Sequence, residues 1–159
     1  MQKNVITLDG NSLTREQLVA IACSGARIEL DEAQLVHVQR AADFLADKVG
    51  CGEPIYGVTT GFGSNADKLL GAHRARDELP GGNPEPPDGI RQGETLLEEL
   101  QHNLVITHAV CVGKPFDASV VRAMLVIRVN TLMRGHSGIR VSTLQALTEL
   151  LNRDIVPVI

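Results

Sequence analysis

Short runs of alternating polar and apolar residues predict two strands near the N-terminus. The first is Val5-Ile6-Thr7-Leu8, which is followed by an Asp-Gly turn, and the second is Arg27-Ile28-Glu29-Leu30. Elsewhere, wherever a period is visible, apolar residues recur every three or four positions, which is typical of helices packed on one side. The pattern therefore predicts a mainly α-helical fold with short β segments near its beginning.

Polar residues at the starts of the helical patterns can cap them. Ser12 or Thr14 can cap the first helix, and Gln17, three residues after Thr14, can complete a capping box with it. Gly25 ends this helix, and Asp31 can cap the second. Asp117 can cap a later one in the same way. These signals predict where the helices begin more sharply than the apolar period does.

Three helices are predicted in the second half of the chain, at about 95–110, 117–133 and 141–152. The helix at 117–133 is apolar almost all round, and only Arg122 and Arg128 interrupt it. A helix of this kind is usually buried on every side. We therefore expect more chain or other subunits to cover it, and we expect the 159 residues on their own to self-associate.

Composition and charge exclude several classes of partner. The chain has 159 residues, a net charge of −4 and only 3% aromatic residues, without a stripe of Lys and Arg, so a nucleic-acid partner is not expected. No apolar run reaches membrane-spanning length, and no apolar leader opens the chain, so no membrane association is predicted. Three widely spaced cysteines favour reduced thiols and a cytoplasmic protein.

Two stretches suggest how the chain is organised. Residues 71–93 have no period and contain a run rich in Pro and Gly, which predicts a flexible loop. The chain ends in the apolar segment Ile155-Val156-Pro157-Val158-Ile159, whereas natural termini are usually polar. That ending predicts a fragment of a larger fold.

The segment Tyr56-Gly57-Val58-Thr59-Thr60-Gly61-Phe62-Gly63 has no helical or strand period. Glycine allows backbone angles that other residues avoid, and Thr hydroxyls bond to nearby backbone groups. The segment is therefore predicted to be a shaped loop that displays Tyr56, the single Tyr of the chain. It is either a solvent loop whose Tyr closes over a core or a functional loop.

Other chemical signals are weak. His102 and His108 are six residues apart, which is not the one-turn spacing of a helical metal pair, so no metal site is predicted. His108 lies in an otherwise apolar helical segment, where it is either a satisfied core residue or a group that faces a substrate. Neither a dinucleotide fingerprint nor a nucleophile elbow is present.

Four ordered motifs resemble those of the aromatic amino-acid ammonia-lyases and aminomutases, which include the histidine, phenylalanine and tyrosine ammonia-lyases. The first is the Tyr56–Gly63 loop. The others are Leu100-Gln101-His102-Asn103-Leu104, Arg134-Gly135-His136-Ser137-Gly138 and Leu151-Asn152-Arg153-Asp154-Ile155-Val156-Pro157. The resemblance covers nearly the whole chain. It implies that residues 1–159 are the N-terminal part of such an enzyme, with 94–159 beginning its central helical bundle.

The resemblance implies a homotetramer that removes ammonia from an aromatic amino acid. The electrophile of this family is a methylidene-imidazolone (MIO) made from an internal Ala-Ser-Gly, which the 159 residues do not contain. Cys23-Ser24-Gly25 and His136-Ser137-Gly138 are similar only superficially, because each lies in the wrong motif. The chain alone is therefore expected to be inactive.

The resemblance also implies roles for individual residues. Tyr56 matches the family's loop Tyr, the base that acts on the β-proton of the substrate. Around it, the expected active-site loop comprises Gly57, Thr60, Gly61, Phe62 and Gly63. A loop flanked by glycines can close over a site and exclude water.

Substrate choice in the family depends on two adjacent residues, which here are Thr107 and His108. This pair is nearest to the histidine type, and His108 could hydrogen-bond an imidazole or a phenol. L-histidine, converted to urocanate, is the expected substrate. Phenylalanine or tyrosine ammonia-lyase and 2,3-aminomutase activities remain open, as does an inactive binding module of another class.

Overall fold

The computed structural model describes residues 4–61, 63, 96–110 and 112–159. They belong to two compact units, one formed by the chain up to Lys48 together with Gly113–Ile159, the other by Val49–Val112. The predicted flexible loop at 71–93 lies outside the described residues.

Helices dominate the described chain, and a short two-stranded sheet lies near its beginning, as the apolar pattern predicts. The elements in order are β1 (Val5–Leu8), α1 (Arg15–Ser24), β2 (Arg27–Leu30), α2 (Glu32–Gly50), α3 (Leu96–His108), α4 (Ala118–Leu132) and α5 (Val141–Asn152). All of these except α3 belong to the first unit, apart from the last two residues of α2.

The two strands pair in parallel, with Val5 opposite Arg27 and Leu8 opposite Leu30. Parallel pairing requires a crossover connection, and α1 supplies it. Ile6 and Leu8 are buried while Val5 is exposed, since successive side chains of a strand point to opposite faces. The sheet therefore contributes one apolar face to the core.

The start of α1 shows which of the two candidate caps is used. The Thr14 hydroxyl accepts from the Gln17 amide at 3.2 Å, and the Gln17 side chain accepts from the Thr14 amide at 2.9 Å, which completes a capping box. Ser12 instead donates its amide to the Asp9 carboxylate at 2.8 Å. This bond, with one from the Asn11 amide, lowers the pKa of Asp9.

The other two predicted caps differ in outcome. The Asp31 carboxylate accepts from the Gln34 amide at 2.7 Å, so Asp31 caps α2 as predicted. Asp117 occupies the N-cap position of α4, but its side chain makes no capping hydrogen bond. The sequence signal therefore located the start of α4 without describing how it is capped.

The core of the first unit lies between the sheet and the helices of that unit. It is formed by apolar side chains from both strands, from all four helices and from residues next to them, namely Ile6, Leu8, Ile21, Ala26, Ile28, Val38, Val126, Val129, Met133, Leu144 and Leu151. The residues come from both ends of the chain. Folding of the first unit therefore depends on contacts between distant segments.

Only one face of α4 is buried in the described chain. Val121, Val126 and Val129 are buried, whereas Met124 and Ile127 on the other side are 43% and 49% exposed. The sequence predicts that this helix is buried on every side, but the described residues alone bury only one face of it. The exposed apolar face is the part of the helix that additional chain or another subunit would have to cover.

A buried arginine joins three helices. Arg122 of α4 is 7% exposed and donates to the Ile21 carbonyl of α1 at 3.2 Å and to the Leu151 carbonyl of α5, also at 3.2 Å. Its third bond, 2.6 Å long, reaches the exposed carboxylate of Asp154. The guanidinium carries several donors in a fixed plane, which lets one side chain satisfy carbonyls near the ends of two helices.

The side chain of Asn152, the last residue of α5, pairs with β2 in the manner of a strand. Its Oδ1 accepts from the Ile28 amide and its Nδ2 donates to the Ile28 carbonyl, both at 2.9 Å. A side-chain amide has the same donor and acceptor as a backbone peptide, so it can satisfy both groups of one strand residue. The pairing attaches α5 to the sheet.

None of the helices in the described part of the chain combines the length and the hydrophobicity that crossing a membrane requires.

The turn after α4 packs closely on α2 through glycine. Gly135 has a φ of +71°, and a Cβ there would lie 3.0 Å from the backbone carbonyl carbon of His37. Gly25 has a similar φ of +67°, but a Cβ there would meet nothing within 4 Å. Comparing substitutions at the two glycines therefore separates the free-energy cost of backbone strain from that of a packing clash.

We expect Gly135→Ala to lower the free energy of unfolding by about 1–3 kcal/mol more than Gly25→Ala does. Both substitutions strain the backbone, but only the first also forces atoms into a filled contact. Urea denaturation of the two variants and the unaltered chain measures the difference. If both variants lose the same free energy of unfolding, the turn moves away from α2 to accommodate the added methyl group without a further loss of stability.

Candidate active site

A tight turn forms the base of the predicted Tyr loop in the second unit. The Ile55 carbonyl accepts from the amides of Val58, Thr59 and Thr60 at 3.0, 3.0 and 3.2 Å. Gly57 has a φ of +70°, a conformation that residues with a side chain rarely adopt. The loop is therefore a folded turn, as its composition predicts.

The buried hydroxyl of Thr59 ties this turn to the chain before it. It donates to the Glu53 carbonyl at 2.7 Å and accepts from the Ile55 amide at 2.7 Å. Thr59 is 7% exposed, so these bonds are shielded from water. Thr59 is not among the predicted site residues, although its position in a pair of threonines among glycines indicates a structural role in the loop.

Thr60 fixes the other side of the turn. Its hydroxyl accepts from the Gly57 amide at 3.3 Å and lies 3.2 Å from the Gly61 carbonyl, to which it can donate. Thr60 is 3% exposed, and Gly61 is buried as well. Thr60, Gly57 and Gly61 thus lie together in the loop, where they shape it and do not present a reactive group.

Tyr56 is displayed on this turn. Its side chain is 65% exposed, and its phenolic oxygen accepts a long hydrogen bond of 3.4 Å from the Gly63 amide. Gly63, with a φ of +56°, adopts the left-handed conformation. Phe62, the remaining predicted loop residue, lies outside the described residues.

Thr107 and His108 occupy the last turn of α3, also in the second unit. His108 Nδ1 lies 2.9 Å from the Leu104 carbonyl, which can only accept, so this nitrogen carries the proton of the bond. In the neutral ring, Nε2 is then an acceptor. The Thr107 hydroxyl donates to the Asn103 carbonyl at 2.7 Å and lies 3.2 Å from His108 Nδ1, so it helps to orient the ring.

His108 is not a core residue in the described chain. It is exposed, as are its neighbours Val105 and Ile106, at 67% and 56%. Of the two interpretations that the apolar sequence left open, the satisfied core histidine therefore does not hold within the described residues. The other, that His108 faces a substrate, stays a prediction.

Neither Ser-Gly tripeptide of the chain fits the MIO cofactor. Ser24 is the last residue of α1, and the Gly25 amide is already bonded to the Ala20 carbonyl as the helix cap. His136-Ser137-Gly138 lies in the turn between α4 and α5, and neither tripeptide has an Ala before its Ser.

No cluster of three or more metal-ligating side chains occurs among the residues that the structure describes.

A family model described as aromatic amino acid lyase matches residues 13–159, and the chain belongs to this family. Among its curated relatives are two histidine ammonia-lyases. The one from Chloroflexus aurantiacus is 37% identical over 99% of the chain, and the one from Burkholderia mallei is 39% identical over 98%. The chain spans about a quarter of the length of these relatives, 26% in each case.

Solved structures of the same family share the fold. Histidine ammonia-lyase from Trypanosoma cruzi superimposes with a TM-score of 0.70 at 34% identity, over 93% of this chain and 25% of that one. Tyrosine aminomutase from Streptomyces globisporus has a TM-score of 0.75 at 28% identity, over 97% and 25%. An ergothionase from Treponema denticola, at 24% identity and a TM-score of 0.77, shows the fold alone.

Proposed function

We propose that the complete protein containing this chain is a histidine ammonia-lyase, which eliminates ammonia from L-histidine and releases urocanate. The observation that carries the proposal is the identity of 37–39% to histidine ammonia-lyases over nearly the whole chain. The pair Thr107 and His108 supports it, because the orientation of His108 leaves its Nε2 as an acceptor for an imidazole N–H.

Tyr56 is the proposed base for the β-proton. The reaction requires a proton acceptor held beside a weakly acidic C–H, and a phenolic oxygen on a fixed turn meets the requirement for position. The Gly63 amide donates to this oxygen at 3.4 Å, so a backbone dipole faces the atom that would take up the proton. Tyr56 is the only Tyr that the chain can offer for this role.

The loop around Tyr56 has a positioning role in this proposal. The bonds of Thr59 and Thr60 hold the turn without using the phenol, so the ring can approach a substrate while the turn keeps its shape. Gly57, Gly61, Phe62 and Gly63 complete the proposed loop, which closes over the substrate and keeps water out.

His108 is the proposed group that recognises the substrate ring. With Nδ1 bonded to the Leu104 carbonyl, Nε2 accepts from the substrate's imidazole N–H. Thr107 supports this orientation through its contact with Nδ1. A substrate with a phenyl ring would leave His108 Nε2 without a hydrogen-bond donor, so the site would discriminate against that substrate.

The cofactor belongs to the part of the protein that this chain does not contain. We propose that an Ala-Ser-Gly elsewhere in the complete protein forms MIO, which supplies the electrophile of the reaction. The 159 residues alone are then inactive. The complete enzyme is proposed to be a cytoplasmic homotetramer, in which added chain or a neighbouring subunit covers the exposed face of α4.

The substrate assignment is tested by the activity of the complete protein with L-histidine, L-tyrosine and L-phenylalanine. We expect L-histidine to give the highest kcat/KM, with ammonia and urocanate in equal amounts. His108→Leu should lower kcat/KM for L-histidine by about 10²-fold or more, because the imidazole N–H loses its acceptor. His102→Leu, at another exposed position of α3, is the matched control and should leave kcat/KM unchanged.

The alternatives give different products. If kcat/KM is highest for L-tyrosine, and His108→Leu lowers kcat/KM for that substrate, the protein acts on tyrosine and the histidine assignment is wrong. A β-amino acid in place of free ammonia would identify an aminomutase. Absence of turnover with all three amino acids would favour the inactive binding module.

A further inference from the structure

A cavity of about 650 Å³ lies in the first unit, between α2 and the turn that follows α4. Its chemically distinctive lining residues are His37, Arg40, Phe44, Arg134, His136 and Ser137. None of them belongs to the Tyr56 loop or to α3. The cavity is thus built from residues that the proposed lyase reaction does not use.

The lining is cationic although the chain as a whole carries a net charge of −4. Two arginines and two histidines, all four exposed, are among its lining residues, and no Asp or Glu is. Within the described chain, Arg40 and Arg134 form no ion pair, whereas Arg122 is paired with Asp154. Two arginines without counter-ions at one cavity are typical of a site for an anion.

The cavity also has an apolar side. Phe44 and Leu45 line it together with the cationic residues, and Phe44 is 63% exposed. The ammonium of Lys48, which does not line the cavity, lies 5.6 Å from the centre of the Phe44 ring. A ligand that fits both sides has an anionic group and an apolar or aromatic body.

The walls are held by close packing. A Cβ on Gly138 would lie 2.5 Å from the Leu45 side chain, and one on Gly135 would lie 3.0 Å from the His37 backbone. The turn therefore touches α2 directly, at two of the residues that line the cavity. A preformed cavity of this size lies within the range that small organic ligands occupy, about 300–1,000 Å³.

We propose that this cavity binds an organic phosphate, with the phosphate at Arg40 and Arg134 and the apolar body against Phe44. A phosphate dianion matches two guanidiniums better than a monoanionic carboxylate does, and each guanidinium can engage it through two parallel N–H donors. Inorganic phosphate alone would leave most of the cavity empty.

The test is calorimetric titration of the complete protein with AMP, inorganic phosphate and adenosine. We expect AMP to bind more tightly than inorganic phosphate or adenosine, because only AMP has both a phosphate for the two arginines and an organic body for Phe44. Arg40→Gln and Arg134→Gln should each weaken AMP binding by about tenfold or more, as loss of a charge-assisted bond does. Arg15→Gln, which alters an exposed arginine of α1 away from the cavity, should leave binding unchanged.

A second variant tests the apolar side. Phe44→Ala should weaken AMP binding while leaving that of inorganic phosphate unchanged. Absence of AMP binding at millimolar concentration, or AMP binding that neither arginine substitution alters, would overturn the proposal. Equal affinity for AMP and inorganic phosphate would overturn the role of Phe44. These titrations do not depend on turnover, so the lyase proposal and this one can fail separately.

Discussion

Replacing Tyr56 with Phe in the complete protein is expected to lower kcat for the proposed elimination by about 10²–10⁴-fold, the usual contribution of a positioned general base. Phe keeps the ring and removes only the oxygen that would accept the β-proton. The turn should keep its shape, because Thr59 and Thr60 hold it through bonds that do not involve the phenol. Steady-state kinetics with L-histidine measures the loss.

The control for this experiment separates chemistry from loop shape. Thr59→Ser keeps the hydroxyl that bridges Glu53 and Ile55 and should retain turnover close to that of the unaltered protein. Circular dichroism should show that Tyr56→Phe is folded, and the absorbance of MIO should show that the cofactor has formed. Near-normal turnover of Tyr56→Phe would exclude Tyr56 from the mechanism.

Arg122→Met is expected to lower the free energy of unfolding by about 1–3 kcal/mol. Met has a similar length and packs well, but it leaves the buried carbonyl of Ile21 without the Arg122 donor, whereas the Leu151 carbonyl keeps its bond from the Asp154 amide. Because the Asp154 carboxylate is exposed, the substitution leaves no buried charge behind, and the loss comes from the carbonyls. Denaturation of the 159-residue chain in urea measures the loss.

Arg153→Met provides the matched comparison for Arg122→Met. Arg153 pairs with Glu149 one helical turn away, and their side chains are 69% and 51% exposed. Surface pairs of this kind contribute about 0–1 kcal/mol, so this variant should lose little stability. If both variants lose the same amount, Arg122 does not hold the three helices together.

Local signals were sufficient to predict most elements of the fold. Apolar spacing predicted all five described helices and both strands, because period and caps are properties of neighbouring residues. The capping box of Thr14 and Gln17, which the sequence predicts, is the one that the structure uses, and the part that the sequence did not predict is the bond from the Ser12 amide to Asp9. The parallel pairing of the strands was not predicted either, because it follows from tertiary packing.

The site was only partly predictable. Glycine and threonine composition predicted a displayed Tyr56, but the bonding of Thr59 to Glu53 required the three-dimensional turn. The exposure of His108 could not be predicted because its neighbours are apolar. The cavity with Arg40 and Arg134 escaped prediction for a different reason, since its two arginines lie on elements far apart in sequence.

The pairing of Asn152 with Ile28 has a consequence for synthesis on the ribosome. The two residues are 124 positions apart, so β2 is made long before the side chain that bonds to it. At roughly 5–20 residues per second, the delay is about 6–25 s. During this interval the nascent N-terminal segment exposes the apolar surface that α4 and α5 later cover, and we expect it to be the stage at which chaperones bind most strongly.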